Sequence, residues 1–202
     1  MHRRKLLLAT LAALVPGGAM GALTPTPRQS RGPFYPDRLP LERDNDLVQV
    51  EGYPHLARGE ITHLTGQVRD PSGRPVSGAL VEIWQCDVNG RYIHSADPGA
   101  APRDPGFQGY GRCATAADGA YRFRTIKPVP YPGRAPHIHV AVRLSGQTPL
   151  VTQLYVQGAP ENAQDWLLNT AQDPAALIVA FSPIQAPDAT LAARFDLVLP
   201  AG

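Results

Sequence analysis

Cysteine is nearly absent, with Cys86 and Cys113 the only two in 202 residues. That excludes a disulfide-stapled scaffold and a cysteine-rich metal site, and it leaves the pair open between one disulfide and two separate thiols. No apolar run approaches the roughly 20 residues a membrane-spanning helix needs. The longest, residues 6–15, stops at Pro16, Gly17 and Gly18. Basic clusters are missing as well, because the arginines are scattered, so there is no electrostatic footprint for nucleic acid. There is no internal repeat, and 202 residues with 43% hydrophobic content suit one packed core better than two.

What is present begins with a leader. Residues 1–22 combine a basic start (Arg3, Arg4, Lys5), a short apolar stretch and small residues at Ala19, Gly21 and Ala22, the layout of a cleaved export signal. The adjacent arginines resemble a twin-arginine signal, which suits a protein that folds around a metal before export, and the expected location is periplasmic. No stable membrane anchor is expected after its removal. Without the leader, 16 Lys and Arg face 17 Asp and Glu, so the net charge of +2 becomes −1 and the basic character belongs to the signal. The expected ligand is a small molecule or a protein partner.

Residues 23–59 are taken as an irregular N-terminal arm, since residues 23–47 are rich in Pro, Arg and Asp without periodicity. From residue 60 to 202 short β-type runs alternate with Gly, Pro, Asp and Asn, predicting an all-β fold: an antiparallel β-sandwich with long irregular loops and short helical pieces. A first hairpin is predicted from residues 62–70, a turn at Pro71, Ser72, Gly73 and Arg74, and residues 79–85, where Val81, Ile83 and Gln85 alternate with Leu80, Glu82 and Trp84. Asp118-Gly119 marks a second turn, leading into Tyr121, Phe123 and Thr125 on one strand face. Further strands are expected at residues 137–144, 150–156 and 192–199, and helical pieces near 161–168 and 174–180. The stretch between Cys86 and Tyr121 is too interrupted by Gly and Pro for regular structure, and a loop of that length in a compact domain is usually functional or mobile.

The most informative segment is Tyr131-Pro132-Gly133-Arg134-Ala135-Pro136-His137-Ile138-His139. Residues two apart on a strand share a face, so His137 and His139 can present both imidazoles to one ion. Alone such a pair is weak, since one histidine commonly packs at a strand edge while the other is solvated. Here Tyr131 and Arg134 lie just upstream in a turn that can fold the phenol toward the imidazoles, and Tyr92 lies in the loop beyond residue 85. Two phenolates with two neutral imidazoles favour a hard trivalent ion such as Fe(III) over Zn(II), and a trivalent ion also supplies the positive charge needed to deprotonate a phenol of pKa near 10.

Four ordered blocks then carry a resemblance. They are Gly78-Ala79-Leu80-Val81-Glu82-Ile83-Trp84-Gln85-Cys86-Asp87, followed by Gly90-Arg91-Tyr92; Asp118-Gly119-Ala120-Tyr121-Arg122-Phe123-Arg124-Thr125-Ile126-Lys127-Pro128; the Tyr131 to His139 segment; and Thr152-Gln153-Leu154-Tyr155. Together they resemble the intradiol ring-cleavage dioxygenases, most of all the protocatechuate 3,4-dioxygenase branch. The similarity covers most of residues 60–157, and Gly32-Pro33-Phe34-Tyr35-Pro36 in the arm is similar to a segment ahead of the catalytic domain in relatives. The resemblance implies an enzyme using Fe(III) and O2 to cleave a catechol-type ring between its two hydroxyls, giving a muconate-type dicarboxylate. It implies that Tyr92, His137 and His139 stay on the iron and that Tyr131 is exchangeable and takes up a substrate proton. It further implies that Arg134 stabilises developing negative charge and that Gln153 is an active-site glutamine. The short segment between Tyr131 and Arg134, with Gly133 where relatives acting on protocatechuate carry a larger insertion, leaves the particular catechol open. So is the choice between a homo-oligomer and a pairing with a related subunit.

Two other readings compete. A non-catalytic exported β-sandwich binding module would leave the tyrosines and histidines without metal. A zinc or copper site on the two histidines lacks the nearby carboxylate or cysteine such sites use. His55, His63 and His94 are expected to be surface or structural, Trp84 to be core or interface, and Tyr110, Phe107 and Arg112 to line a pocket or simply to pack.

Overall fold

The computed structural model describes residues 21–40, 42–145 and 150–201. The proposed export signal falls almost wholly outside the described residues. Among those described, no helix is long and apolar enough to cross a membrane.

Two five-stranded sheets face each other. In the first, β1 (Ile61–Arg69) is central. It pairs antiparallel with β4 (Ala120–Ile126) on one side, and on the other runs parallel to β9 (Leu191–Arg194) and then β10 (Leu197–Val198), with β8 (Phe181–Pro183) beyond β9. The second has the order β3 (Tyr110–Ala114), β2 (Leu80–Trp84), β5 (His137–Arg143), β6 (Leu150–Val156) and β7 (Ile178–Val179). The fold is thus the all-β sandwich expected, with parallel pairs at β1/β9, β1/β10 and β6/β7 in otherwise antiparallel sheets. A 3₁₀ turn at Pro160–Ala163, the four-residue α1 (Trp166–Asn169) and another 3₁₀ turn at Ala175–Leu177 are its helical pieces.

Alternation decides what each sheet face carries. Ile138, Val140 and Val142 of β5 and Val81 and Ile83 of β2 point into the main core with Leu64, Val68 and Phe123 of the first sheet. Their neighbours point the other way, where Trp84 and Ala141 join Cys86, Tyr92 and Tyr110 in a second apolar cluster. That outer face is not left to solvent, and Glu82, Trp84, His137 and His139 are all buried. Residues of the arm cover it. Thr26 exchanges hydrogen bonds with Val198 at the β10 edge, Gln29 N–H donates to Val151 O at the β6 edge, and Gly32 to Tyr35 then cross the outer face. At the opposite edge Leu47 N–H donates to Arg124 O and Leu47 O accepts from Gln108 N–H, so the arm also bridges β4 to the approach of β3. The β4 and β3 edges on this side are thereby covered, Arg43 and Asp44 O also accepting from Arg112 N–H, which blunts them against edge-to-edge association.

Three expectations need correction. The turn after β1 does reverse the chain, with Asp70 Oδ1 accepting from Ser72 and Arg74 N–H, but β2 leaves for the other sheet and does not complete a hairpin with β1. With apolar residues on both faces, β2 requires a central place, and both sides of β1 are already taken. Tyr110–Ala114 is a strand inside the stretch read as loop; its order comes from pairing with β2, not from its own pattern. The single strand expected at residues 192–199 is split into β9 and β10 at Phe195 and Asp196. There Tyr121 Oη donates to the Phe195 carbonyl, and that carbonyl occupies the space a side chain on Gly66 would need.

Gly66→Ala is therefore expected to cost about 3 kcal/mol by overpacking. Urea unfolding of the two proteins measures it, and an equal midpoint would show that the contact yields freely.

Candidate metal centre and active site

Each candidate side chain is set by a local device. The Asp87 carboxylate accepts from Asn89 N–H (2.8 Å) and Arg91 N–H (3.0 Å), and Asp87 O accepts from Gly90 N–H, so the chain turns sharply after β2. Asp97 then accepts from Tyr92 N–H (2.6 Å) and from Arg91 Nε (3.0 Å), fixing where the Tyr92 ring starts; these bonds hold the Asp97 carboxyl below its usual pKa against the opposing effect of burial. Tyr131 and Arg134 close a tight turn through Arg134 N–H donating to Tyr131 O (2.9 Å), which brings the phenol back over the start of β5. His137 and His139 follow on the outer face. Register places Trp84, His139 and Gln153 side by side across β2, β5 and β6, and His137 opposite Tyr155.

The six residues singled out by sequence come together. Tyr92 Oη lies 3.3 Å from His137 Nε2, which lies 3.1 Å from His139 Nε2. The Tyr131 ring is 5.5 Å from both the Tyr92 and His137 rings. Arg134 Nη2 donates to Gln153 Oε1 (2.7 Å) and Tyr155 Oη (3.1 Å), and Nη1 reaches Tyr131 Oη at 3.5 Å. Both imidazoles are only 1% exposed and Tyr92 2%, so water contributes little to their solvation.

Burial controls the protonation states. It pushes the Tyr92 phenol well above its ordinary range, reinforced by Cys86 and Tyr131, and raises Tyr131 against the opposing Arg134. It lowers His137 to about 3, helped by Arg134, and takes His139 well below the usual imidazole value, helped by His137 and Arg134. Both imidazoles are neutral. His137 Nδ1 lies 2.6 Å from the Ala135 carbonyl and so carries the proton, leaving a lone pair on Nε2 aimed at Tyr92 and His139. His139 Nδ1 is buried without a hydrogen-bond partner among the described residues. Phenol oxygens and imidazole nitrogens packed within about one hydrogen-bond length, desolvated and formally uncharged, suit a cation of high charge. Such an ion would satisfy the lone pairs and draw the phenol protons off. Among the described residues no three His, Cys, Asp or Glu side chains converge on one point, so the donor set of a zinc site is not assembled.

Several contacts were not legible in advance. Phe34 of the arm stacks on Tyr92 (5.1 Å between centroids), Trp84 lies parallel to His139 at 4.8 Å, and Asp165 pairs with Arg134 at 2.9 Å. Asp165, which also caps α1 by accepting from Leu168 N–H, was not singled out by the sequence. Trp84 is core, as expected, yet it is also one wall of the site. Tyr110, Phe107 and Arg112 do not line it: Tyr110 donates to Glu82 (2.8 Å), Phe107 is in the main core, and Arg112 is exposed on β3. His63 pairs with Asp188, His55 packs against Tyr53, and His94 meets the edge of Phe34. Both cysteines are free. Cys113 stands opposite Val81, so Cys86, five residues further on, is roughly 15 Å away along the strand, beyond disulfide reach.

Beside Tyr131 and Arg134 opens a cavity of about 190 Å3, bounded also by Pro130, Gly133, Glu161 and Asp165. Larger hollows of about 420 and 610 Å3 lie on the outer face of the first sheet and touch none of these groups, so chemistry and not size locates the site.

Fold and site define a β-sandwich enzyme whose centre is built from phenols and imidazoles. The Dioxygenase family model matches residues 30–201. The beta chain of protocatechuate 3,4-dioxygenase from Burkholderia cepacia is 40% identical over 185 residues, 85% of this chain and 78% of that one. Chlorocatechol 1,2-dioxygenase from Rhodococcus opacus is 32% identical over 151 residues, 64% of this chain but 56% of its own, so this chain spans little more than half of that relative. Among solved structures, the dioxygenase domain of a dioxygenase carbohydrate-binding protein fusion from Streptomyces sp. SirexAA-E shares 32% identity at a TM-score of 0.68, covering 89% of this chain and all of that one. The chain belongs to the intradiol ring-cleavage dioxygenase family and is an enzyme of the oxidoreductase class.

The metal-free protein is expected to lose stability in acid. A neutral buried histidine with a folded pKa of about 3 against 6.5 when unfolded stabilises the fold above pH 6.5, and that contribution is lost as pH falls toward 3. The slope is about 1.4 kcal/mol per pH unit. Comparing unfolding of the native chain and His137→Gln across this range should show the slope reduced in the variant; parallel curves would show that His137 is not held neutral.

Proposed function

We propose that this chain is a ferric-iron-dependent intradiol dioxygenase that cleaves a catechol-type ring between its hydroxyls with O2, yielding a muconate-type dicarboxylate. The observation that carries this is the convergence of Tyr92, Tyr131, His137 and His139, with Arg134 beside them. In this reading Tyr92 Oη, His137 Nε2, His139 Nε2 and Tyr131 Oη would hold the metal. Ferric iron, when bound, withdraws electron density from a chelated catechol and so makes a ring carbon open to O2.

The remaining chemistry belongs to side chains. Tyr131 is half-buried beside the cavity, where its oxygen, if deprotonated by the metal, would be placed to accept a proton from a substrate hydroxyl. Arg134 stays protonated: burial opposes its charge, but Tyr131, Tyr155 and Asp165 outweigh that and raise its pKa. Its Nη1 is the donor facing Tyr131 Oη, and there it stabilises negative charge developing on the substrate. Gln153 restrains Nη2. Phe34 and Trp84 close the apolar side, which excludes water and strengthens these interactions. The hollow of about 190 Å3 opens beside Tyr131 and Arg134, where a single ring entering it would meet both side chains.

Support for a catechol-type substrate comes from relatives that act, by their names, on protocatechuate and chlorocatechol. The first is named as a beta chain, which supports assembly of this chain with itself or a related subunit. The leader in residues 1–22 supports export to the periplasm. Nothing in the site favours a non-catalytic binding module, and family membership speaks against it.

The purified, iron-loaded chain should be red to brown, and its visible band should shift on anaerobic addition of catechol, protocatechuate or hydroxyquinol, ranking the three. A colourless protein that takes up no iron would sink the reading. Tyr92→Phe should bleach or shift the band; an unaltered spectrum removes Tyr92 from the metal. Arg134→Ala should keep iron and colour while kcat falls about 100- to 1,000-fold, and unaltered turnover would remove it from the site.

A further inference from the structure

We propose that Asp165 is a positioning residue for this reaction, fixing which edge of Arg134 faces the substrate and, through Ala135, holding His137 in step with it; the role rests on the function proposed above. The Asp165 side chain is fully buried, and it makes more bonds than a helix cap requires. Its Oδ1 accepts from Leu168 N–H (3.0 Å), which is the capping bond of α1. Its Oδ2 does something else, accepting from Arg134 Nε (2.9 Å) and from Ala135 N–H (2.8 Å).

The consequence for Arg134 follows from its fork of donors. Nε is taken by Asp165, and Nη2 by Gln153 and Tyr155. The edge left over is Nη1, which points at Tyr131 Oη. Without Asp165, nothing sets the guanidinium plane on the Nε side, and Nη1 and Nη2 become exchangeable in their roles. For His137 the link is one residue long: Asp165 grips the Ala135 N–H, and His137 Nδ1 donates to the Ala135 carbonyl. The arginine and the imidazole are therefore referred to one carboxylate that lies outside the strand carrying the imidazole. Gln153 bonds the arginine without reaching Ala135, and Tyr155, which bonds the arginine and packs its ring 5.7 Å from that of His137, makes no bond to the Ala135 backbone that orients the imidazole.

Positioning of this kind separates from a merely structural role in a double-mutant cycle. Asp165→Asn keeps shape but loses the charge and one acceptor; Asp165→Ser keeps a cap for α1 and gives up the bonds to Arg134 and Ala135. In the iron-loaded wild-type background each is expected to lower kcat roughly 10- to 100-fold with KM changed less than about threefold. The anaerobic catechol titration of the visible band should show near-native affinity. In the Arg134→Ala background the same substitutions should lower kcat less than about twofold, and their thermal midpoints should fall less than in the wild-type background, because the buried ion pair is already gone. An equal loss of rate in the two backgrounds would overturn the proposal, as would native turnover in both variants. Failure of both to fold would overturn it too, by assigning Asp165 to the fold. A wild-type chain without turnover would sink the proposed function and this role together, whereas an active wild type with unaffected variants would sink this role alone.

Discussion

Two imidazole nitrogens 3.1 Å apart, with a phenol oxygen 3.3 Å from one of them and almost no exposure, constrain everything around them. Polar groups packed this closely and cut off from water are costly unless they bond one another or share a cation, so the surrounding structure has to hold them in place. Strand geometry does part of this, because β5 gives its inward positions to Ile138, Val140 and Val142 and its outward ones to the histidines. The rest comes from what covers the outer face. Trp84 and Phe34 supply flat apolar walls, and Gly32 lets the arm pass so near His139 that an added Cβ would stand 3.1 Å from its ring.

Burying that face makes the arm a wall of the candidate site. It lies along the β6 edge and then over the site, where Gln29 accepts from Tyr155 Oη and Ser30 O accepts from Gln153 Nε2. The polar groups that surround Arg134 are thus satisfied on one side by Asp165 and on the other by the arm. A partly buried arginine needs such partners, since an unpaired polar group out of water costs more than the net gain of a typical hydrogen bond. The same network leaves one guanidinium edge toward Tyr131, where a substrate would add its own acceptor.

How much of this was legible in sequence depended on distance along the chain. The His137/His139 pairing and Tyr131 with its turn follow from local rules, period-two alternation and Gly-Pro turn chemistry, whereas Gln153 was singled out only through the family resemblance. The strands at residues 120–126 and 150–156 followed from the same rules. Tyr92 was picked out through family resemblance as much as through its place in a loop. Where local rules misled, a distant partner was the reason: β3 takes its order from β2, β2 crosses to the second sheet because both its faces are apolar, and Gly66 receives the Phe195 carbonyl that splits the last strand.

By itself the sequence determined the sandwich class, the family and the identity of the candidate donors, because alternation, turns and ordered motifs are properties of neighbouring residues. Only the tertiary structure decided that Cys86 and Cys113 stay apart, that Trp84 and Phe34 wall the site, and that Asp165 holds Arg134 from 31 residues away. Those outcomes depend on which strands become neighbours and which faces are covered, and that is settled by burial and hydrogen-bond satisfaction over the whole chain.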